Sequence, residues 1–262
     1  MKTNGLLLFL VTFILVLGLS LDSAASTVLD KTAADSLSAQ AQRAYASGDY
    51  ERALHLFDSV RVDYTSPSLL LNIGNCHFKM GDVPRAILNY ERGLRLAPGD
   101  EDMQANLDLA REQVKDRVNQ LPAFALGSTW GRMRGGSDMD QWARRTLWVG
   151  LVFFLLLAAG FTMRQRWMRR SMLGASGAAL IALVICIAFA GTRHAEIIDD
   201  SEAIILAPKV DVSSEPRAGS TTLFVLHKGT KVSVLQEQNG WYEVKLPNGS
   251  VGWMPPATLE RI

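Results

Sequence analysis

TLWVGLVFFLLLAAGFTM, Thr146–Met163, and SMLGASGAALIALVICIAFAG, Ser171–Gly191, organise this chain. Neither run contains a charge, and they are 18 and 21 residues long. About 20 helical residues cross the hydrocarbon core of a bilayer, so each run is predicted to span one. Between them lies RQRWMRR, residues 164–170, with Arg164, Arg166, Arg169 and Arg170. That stretch turns a helical hairpin but cannot hold a domain. Short loops rich in arginine stay in the cytoplasm, so these four residues set the topology and both outer ends face the other side. Arg132, Arg134, Arg144 and Arg145 precede the first run and make the charge bias across it small. The competing reading is one soluble helical core.

The remaining chain divides around this hairpin. With 27 basic and 26 acidic residues, the net charge of +1 argues against a general nucleic-acid binder. Residues 121–170 carry 8 basic and 2 acidic groups, against 11 and 14 in 26–120 and 7 and 9 in 192–262. Positive charge therefore gathers at the apolar runs, where it meets anionic headgroups. Lys2, then GLLLFLVTFILVLGLSL and small residues up to Ala25, read as a secretory signal over 1–25 or as an uncleaved anchor. Either sends the residues after Ala25 out of the cytoplasm. Both soluble parts, 26–120 and 192–262, are then outside.

Residues 26–120 contain a repeat. LSAQAQRAYASGDYERALHLFDSV, from Leu37, aligns with LLNIGNCHFKMGDVPRAILNYERGL, from Leu70. Gly48-Asp49 matches Gly81-Asp82, Ala41 matches Gly74, Ala53 matches Ala86 and Phe57 matches Tyr90. A period in the mid-thirties marks a stacked helix-turn-helix solenoid. Small residues sit where helices cross, and aromatics fill the space between them. The second unit, LLLNIGNCHFKMGDVPRAILNYERGLRLAP, resembles the tetratricopeptide repeat family, with Gly74, Phe78, Gly81, Ala86, Tyr90 and Pro98 carrying the match. A further helix from about Asp100, apolar at Met103, Leu107, Ala110 and Val114, is expected to cap the stack. The resemblance implies a concave face that binds peptides or helices. Its candidate residues are Arg43, Asn72, Asn75 and Lys79. Asn75 either clamps a ligand backbone or serves as an ordinary surface or internal amide.

Residues 121–145 form a linker in which Phe124, Trp130 and Trp142 are expected at the membrane interface, with Trp148 and Arg144–Arg145 beside them. An ordinary loop is the alternative. After Gly191 the pattern turns to short strands: 202–206, 210–213, 222–226, 231–236, 241–246 and 250–254. Asn248-Gly249 is a hairpin signal, and Val232, Val234, Tyr242, Val244 and Leu246 alternate with polar neighbours. GTKV, GWYEV and GSVGW over residues 202–262 resemble the bacterial SH3-like family. Ser213 and Glu215 depart from its arginine and glycine. Trp241 and Trp253 are read as structural, or with Tyr242 as a shallow aromatic groove for peptide or cell wall.

Nothing in the sequence assembles an active site. His55, His77, His194 and His227 are scattered, and no metal, phosphate or nucleophile motif occurs. No enzyme activity and no cofactor is expected. Cys76 and Cys186 lie in a soluble module and a span, so no disulfide is expected. Cys76 is a core residue or, less simply, a reactive thiol. The fold class is thus multi-domain: an α-helical TPR-like solenoid, a two-helix transmembrane hairpin and a small all-β SH3-like barrel. This order resembles the BatE-type proteins encoded with the bacterial aerotolerance operon. That resemblance implies an inner-membrane scaffold whose partners are envelope proteins with von Willebrand factor A domains. A cell-wall tether holding peptidoglycan is the alternative.

Overall fold

The structure, a computed structural model, describes residues 30–116 and 138–262. The expected signal, and Phe124 and Trp130 of the linker, lie outside the described residues. Helices α1 (Lys31–Ala46), α2 (Tyr50–Arg61), α3 (Pro67–Lys79) and α4 (Val83–Leu96) make two helical hairpins, followed by α5 (Glu101–Glu112). Each start after the first is fixed by a side-chain cap. Asp49, Ser66, Asp82 and Asp100 accept from the amides of Arg52, Leu69, Arg85 and Met103. Gly48 and Gly81 turn both hairpins with φ of 85° and 79°, a conformation that glycine adopts without strain.

The small residues do what their spacing predicts. A Cβ on Gly74 would fall 2.5 Å from the Tyr90 ring, so only glycine lets α3 and α4 close on that aromatic. Ala41, Ala53, Phe57, Ile73 and Cys76 form one apolar layer. Ala86, Ile87, Leu88, Tyr90, Met103, Leu107 and Ala110 form the next. Both layers are solenoid cores of the expected kind.

Helices α6 (Met139–Thr162) and α7 (Arg166–Ile198) pack side by side. Both outrun the apolar stretches. Asp138 caps α6 through the Gln141 amide, so residues 139–145, expected to be linker, are its first two turns. The basic loop shrinks to residues 163–165, because Arg166, Trp167, Met168, Arg169 and Arg170 are tolerated in a helix and nothing there breaks one. Trp142 packs on Phe189 at 4.8 Å, and a Cβ on Gly160 would lie 2.8 Å from Leu173. Most apolar side chains face outward instead: Leu147 is 66% exposed, Trp148 68% and Ile181 65%. A soluble core helix would bury them, so the single-core reading does not fit.

The last region is a seven-stranded antiparallel sheet: β1 (Glu202–Ile205), β2 (Lys209–Ser213), β3 (Thr222–His227), β4 (Lys231–Gln238), β5 (Trp241–Lys245), β6 (Val251–Met254) and β7 (Leu259–Arg261). It wraps a core of Val210, Val212, Leu226, Val232, Val244 and Met254. The expected barrel does not close. The strands run in the order β3-β2-β6-β5-β4-β1-β7, and the two end strands do not pair with each other. Strand β7 is short, comes after two prolines and is not read from the sequence. The tight β4–β5 turn is Asn239-Gly240, with φ of 53° and 72°, as a two-residue hairpin requires.

The sheet is docked on the solenoid. Ile204, Leu206 and Ile262 pack into the layer formed by α4 and α5, whose own residues include Ile87, Met103, Leu107 and Val114. Arg92 donates to the Arg261 carbonyl and Arg95 to that of Ile262, so α4 occupies the β7 end of the sheet. A charge network lies beside this core: Arg111 pairs with Glu91 at 2.5 Å, Glu91 with Lys231 at 3.0 Å, Lys231 with Glu202 at 2.8 Å and Glu202 with Arg95 at 3.3 Å. At the far edge, Asp116 accepts from the His227 amide (2.6 Å), His227 Nδ1 (2.8 Å) and Thr230 Oγ1 (2.9 Å). His227 is therefore a junction residue.

Two substitutions test this junction. Gly229 has φ of 89°, and a Cβ there would fall 2.8 Å from Val114 Cγ2. Gly229→Ala should cost about 2–4 kcal/mol from left-handed strain plus overpacking, read as a lower unfolding temperature in detergent. Burial pushes the Asp116 carboxyl up, but the hydrogen bonds from His227 and Thr230 outweigh it and hold it below the ordinary value. A depressed carboxylate stabilises fully above its unfolded pKa and stops doing so as pH falls through the folded one. The Asp116 contribution should thus be constant at neutral pH and fade below about pH 4. In melts against pH, Asp116→Asn should remove that acid-limb difference.

Candidate functional site

The residues expected to line a repeat groove lie on α1 and α3. Arg43 and Lys79 are exposed, and Asn72 and Asn75 are half-buried. Arg43 borders a cleft of about 440 Å³ lined also by Gln40, Ala44, Ser47 and Arg52. The two arginines make this the basic part of the first unit. Asn75 is committed internally: its Oδ1 accepts from the Tyr90 hydroxyl at 2.7 Å and from Asn106 Nδ2 at 3.4 Å. It holds three helices in register, and only its amide nitrogen remains for a ligand. Cys76 is fully buried in the solenoid, and burial pushes its thiol up to about 11, which makes it an inert core residue. His77 is also in the packing, 3.4 Å from Asp82, with its imidazole pushed down by burial.

The aromatic residues of the β-domain do not share one face. Register pairs Tyr242 with Met254 and Glu243 with Trp253. Tyr242 thus lies on the core side with Met254, and Arg261 sits over its ring at 5.2 Å. Trp241 and Trp253 take the opposite side by alternation. Trp253 is buried, Trp241 half-buried. The exposed apolar residues lie elsewhere, among them Leu223 and Val225 on the end strand β3.

The arginines expected to set the topology are at the hairpin's other end. Arg164 precedes α7, and Arg166, Arg169 and Arg170 are exposed on its first turns. Sequence reasoning missed a third region. Arg193, on the turns of α7 beyond Gly191, is buried at 5% exposure. Its guanidinium donates to the Leu94 and Arg95 carbonyls at the end of α4 and pairs with Glu196. A cation on the last carbonyls of a helix completes its hydrogen bonding and opposes its dipole. Arg193 therefore ties the hairpin to the repeats. In the sequence it is only the first charge after an apolar run.

Residues 67–100 match the tetratricopeptide repeat model, and residues 210–260 match the bacterial SH3 domain model. No curated protein matches the chain. Among solved structures, the crystal structure of PcrH from Pseudomonas aeruginosa is 16% identical over 62% of this chain and 99% of PcrH, with a TM-score of 0.32. A likeness at that score carries no argument. The chain thus joins a tetratricopeptide repeat to a bacterial SH3 domain, with two apolar helices between them in sequence.

Proposed function

We propose that the chain is a non-catalytic scaffold of a bacterial inner membrane. Its α6–α7 hairpin spans the bilayer, the arginine-rich turn is cytoplasmic, and both soluble modules work in the periplasm. The repeats capture an envelope protein, with von Willebrand factor A-domain proteins as the class that the BatE-type resemblance suggests. The observation that carries this reading is the shared core of repeats and β-domain, which makes one body at one end of the hairpin. An even number of spans between two docked modules is what such a body requires. The α1–α3 face, with Arg43 and Lys79 exposed, remains available for a partner.

A cell-wall tether is the second reading, favoured by the bacterial SH3 match over residues 210–260 and by the exposed Leu223 and Val225. It is tested by co-sedimentation of the whole chain with purified peptidoglycan. The isolated β-domain is unsuited, because Ile204, Leu206 and Ile262 would lose their cover. For the scaffold reading, photoreactive residues go in place of Arg43 and Lys79, which are exposed, rather than Asn75, which Tyr90 needs. Intact membranes should give specific adducts to an A-domain envelope protein at one or both positions. A folded, inserted chain that crosslinks to nothing there, yet sediments with wall, would replace the scaffold with the tether.

A further inference from the structure

A cleft of about 340 Å³ opens where α4, the end of α7 and β1 meet. That is within the roughly 300–1,000 Å³ of small-molecule sites. Its walls carry Glu91, Arg95, Arg193, Glu196, Asp199 and Glu202. Helix geometry fixes its height above the apolar run. Helix α7 stays helical from Gly191 to Ile198. At 1.5 Å per residue, Arg193 stands about 3 Å and Glu196 about 7–8 Å beyond Gly191. The headgroup layer on each side of a bilayer core is roughly 5–8 Å deep. With the hairpin in a bilayer, the cleft therefore opens among lipid headgroups.

The wall itself points to a ligand. Arg193 is 5% exposed; its terminal nitrogens are spent on Glu196 and on the Leu94 and Arg95 carbonyls, and its Nε–H has no hydrogen-bond partner among the described residues. A buried cation with an unused donor is costly unless something completes it. Two guanidiniums and four carboxylates share the space, and no aromatic ring lines it among the described residues. We infer that the cleft holds the headgroup of an ethanolamine phospholipid. The phosphate sits against Arg193 and Arg95, and the ammonium sits among Glu196, Asp199 and Glu202. A purely anionic headgroup would face two guanidiniums already paired with Glu196 and Glu202, with Asp199 beside them. A quaternary ammonium has no N–H to donate and is recognised by aromatic cages. A primary ammonium has three donors, which carboxylates accept.

This inference rests on the hairpin lying in a membrane, and the experiment separates the two. The full chain is incorporated into nanodiscs of equal parts phosphatidylethanolamine, phosphatidylcholine and phosphatidylglycerol with matched acyl chains. Lipid retained on the protein is read by native mass spectrometry. Ethanolamine lipid should be enriched about tenfold over the other two, the worth of one hydrogen bond to a charged group. Asp199→Asn, at an exposed position, and Arg193→Gln should each bring retention toward parity. Equal retention of all three lipids, or enrichment unchanged by Asp199→Asn, overturns the site while leaving insertion intact. Displacement by soluble glycerophosphoethanolamine as effective as that by lipid overturns the lipid assignment in favour of a free amino phosphate. A chain that does not enter nanodiscs at all overturns the membrane reading and this site with it.

Discussion

A stack of two helical repeats ends in an apolar face that water cannot be left to cover. Here the face is made by α4 and α5, and Ile204, Leu206 and Ile262 of the β-domain close it. Truncating one fully buried isoleucine such as Ile204 costs about 2–5 kcal/mol, whereas a part-exposed ion pair contributes about 0–1 kcal/mol. The apolar contact therefore holds the two modules together. The charges running from Arg111 through Glu91, Lys231 and Glu202 to Arg95 fix the angle at which they meet. Glu91 illustrates the division of labour. It is buried, so its two cationic partners mainly offset the cost of taking it out of water.

That docking constrains the path of the chain between the modules. The chain leaves the solenoid after α5 and comes back to it at β1, whose Ile204 packs into the core shared by α4 and α5. Whatever lies between must leave and return. Two apolar helices do so, and one alone could not if it crossed a bilayer. Arg193 adds a mechanical link at the return point, since it terminates α4 while belonging to α7. A tilt of α7 would disturb the last turn of α4, and that turn carries Arg92 and Arg95, which hold the end of β7. Hairpin, repeats and sheet thus meet within a few residues of one another.

Local pattern makes much of this legible. The apolar runs, the 33-residue offset, the capping aspartates and six of the seven strands come from periodicity and turn chemistry acting over a few residues. Helix ends are less legible, because arginine and tryptophan flanks continue a helix as readily as they end an apolar run. The junction is not legible. Arg92, Arg95 and Lys231 look like a solvated helix face and a strand edge, and their partners lie more than 100 positions away. Asn75 stands out in the sequence as a special residue, but its carbonyl serves Tyr90 and Asn106. Asn248-Gly249 does close the β5–β6 hairpin, in a loop longer than two residues, whereas the tighter β4–β5 turn is at Asn239-Gly240.

These contacts define the β-domain's first role. Its β1 and β7 side is spent on the solenoid, and Tyr242 is spent on its own core. The sheet stays open, and at its β7 edge Arg92 and Arg95 of α4 donate to the carbonyls of Arg261 and Ile262. The domain is thus the end cap of the repeats, and its β1 and β7 side is covered by them. The repeats are in the converse position. Capped and tied to α7, they have their α1 and α3 surface as the one large helical face that no other module covers among the described residues. On the scaffold reading proposed above, the helices would read the partner and the sheet would keep them folded.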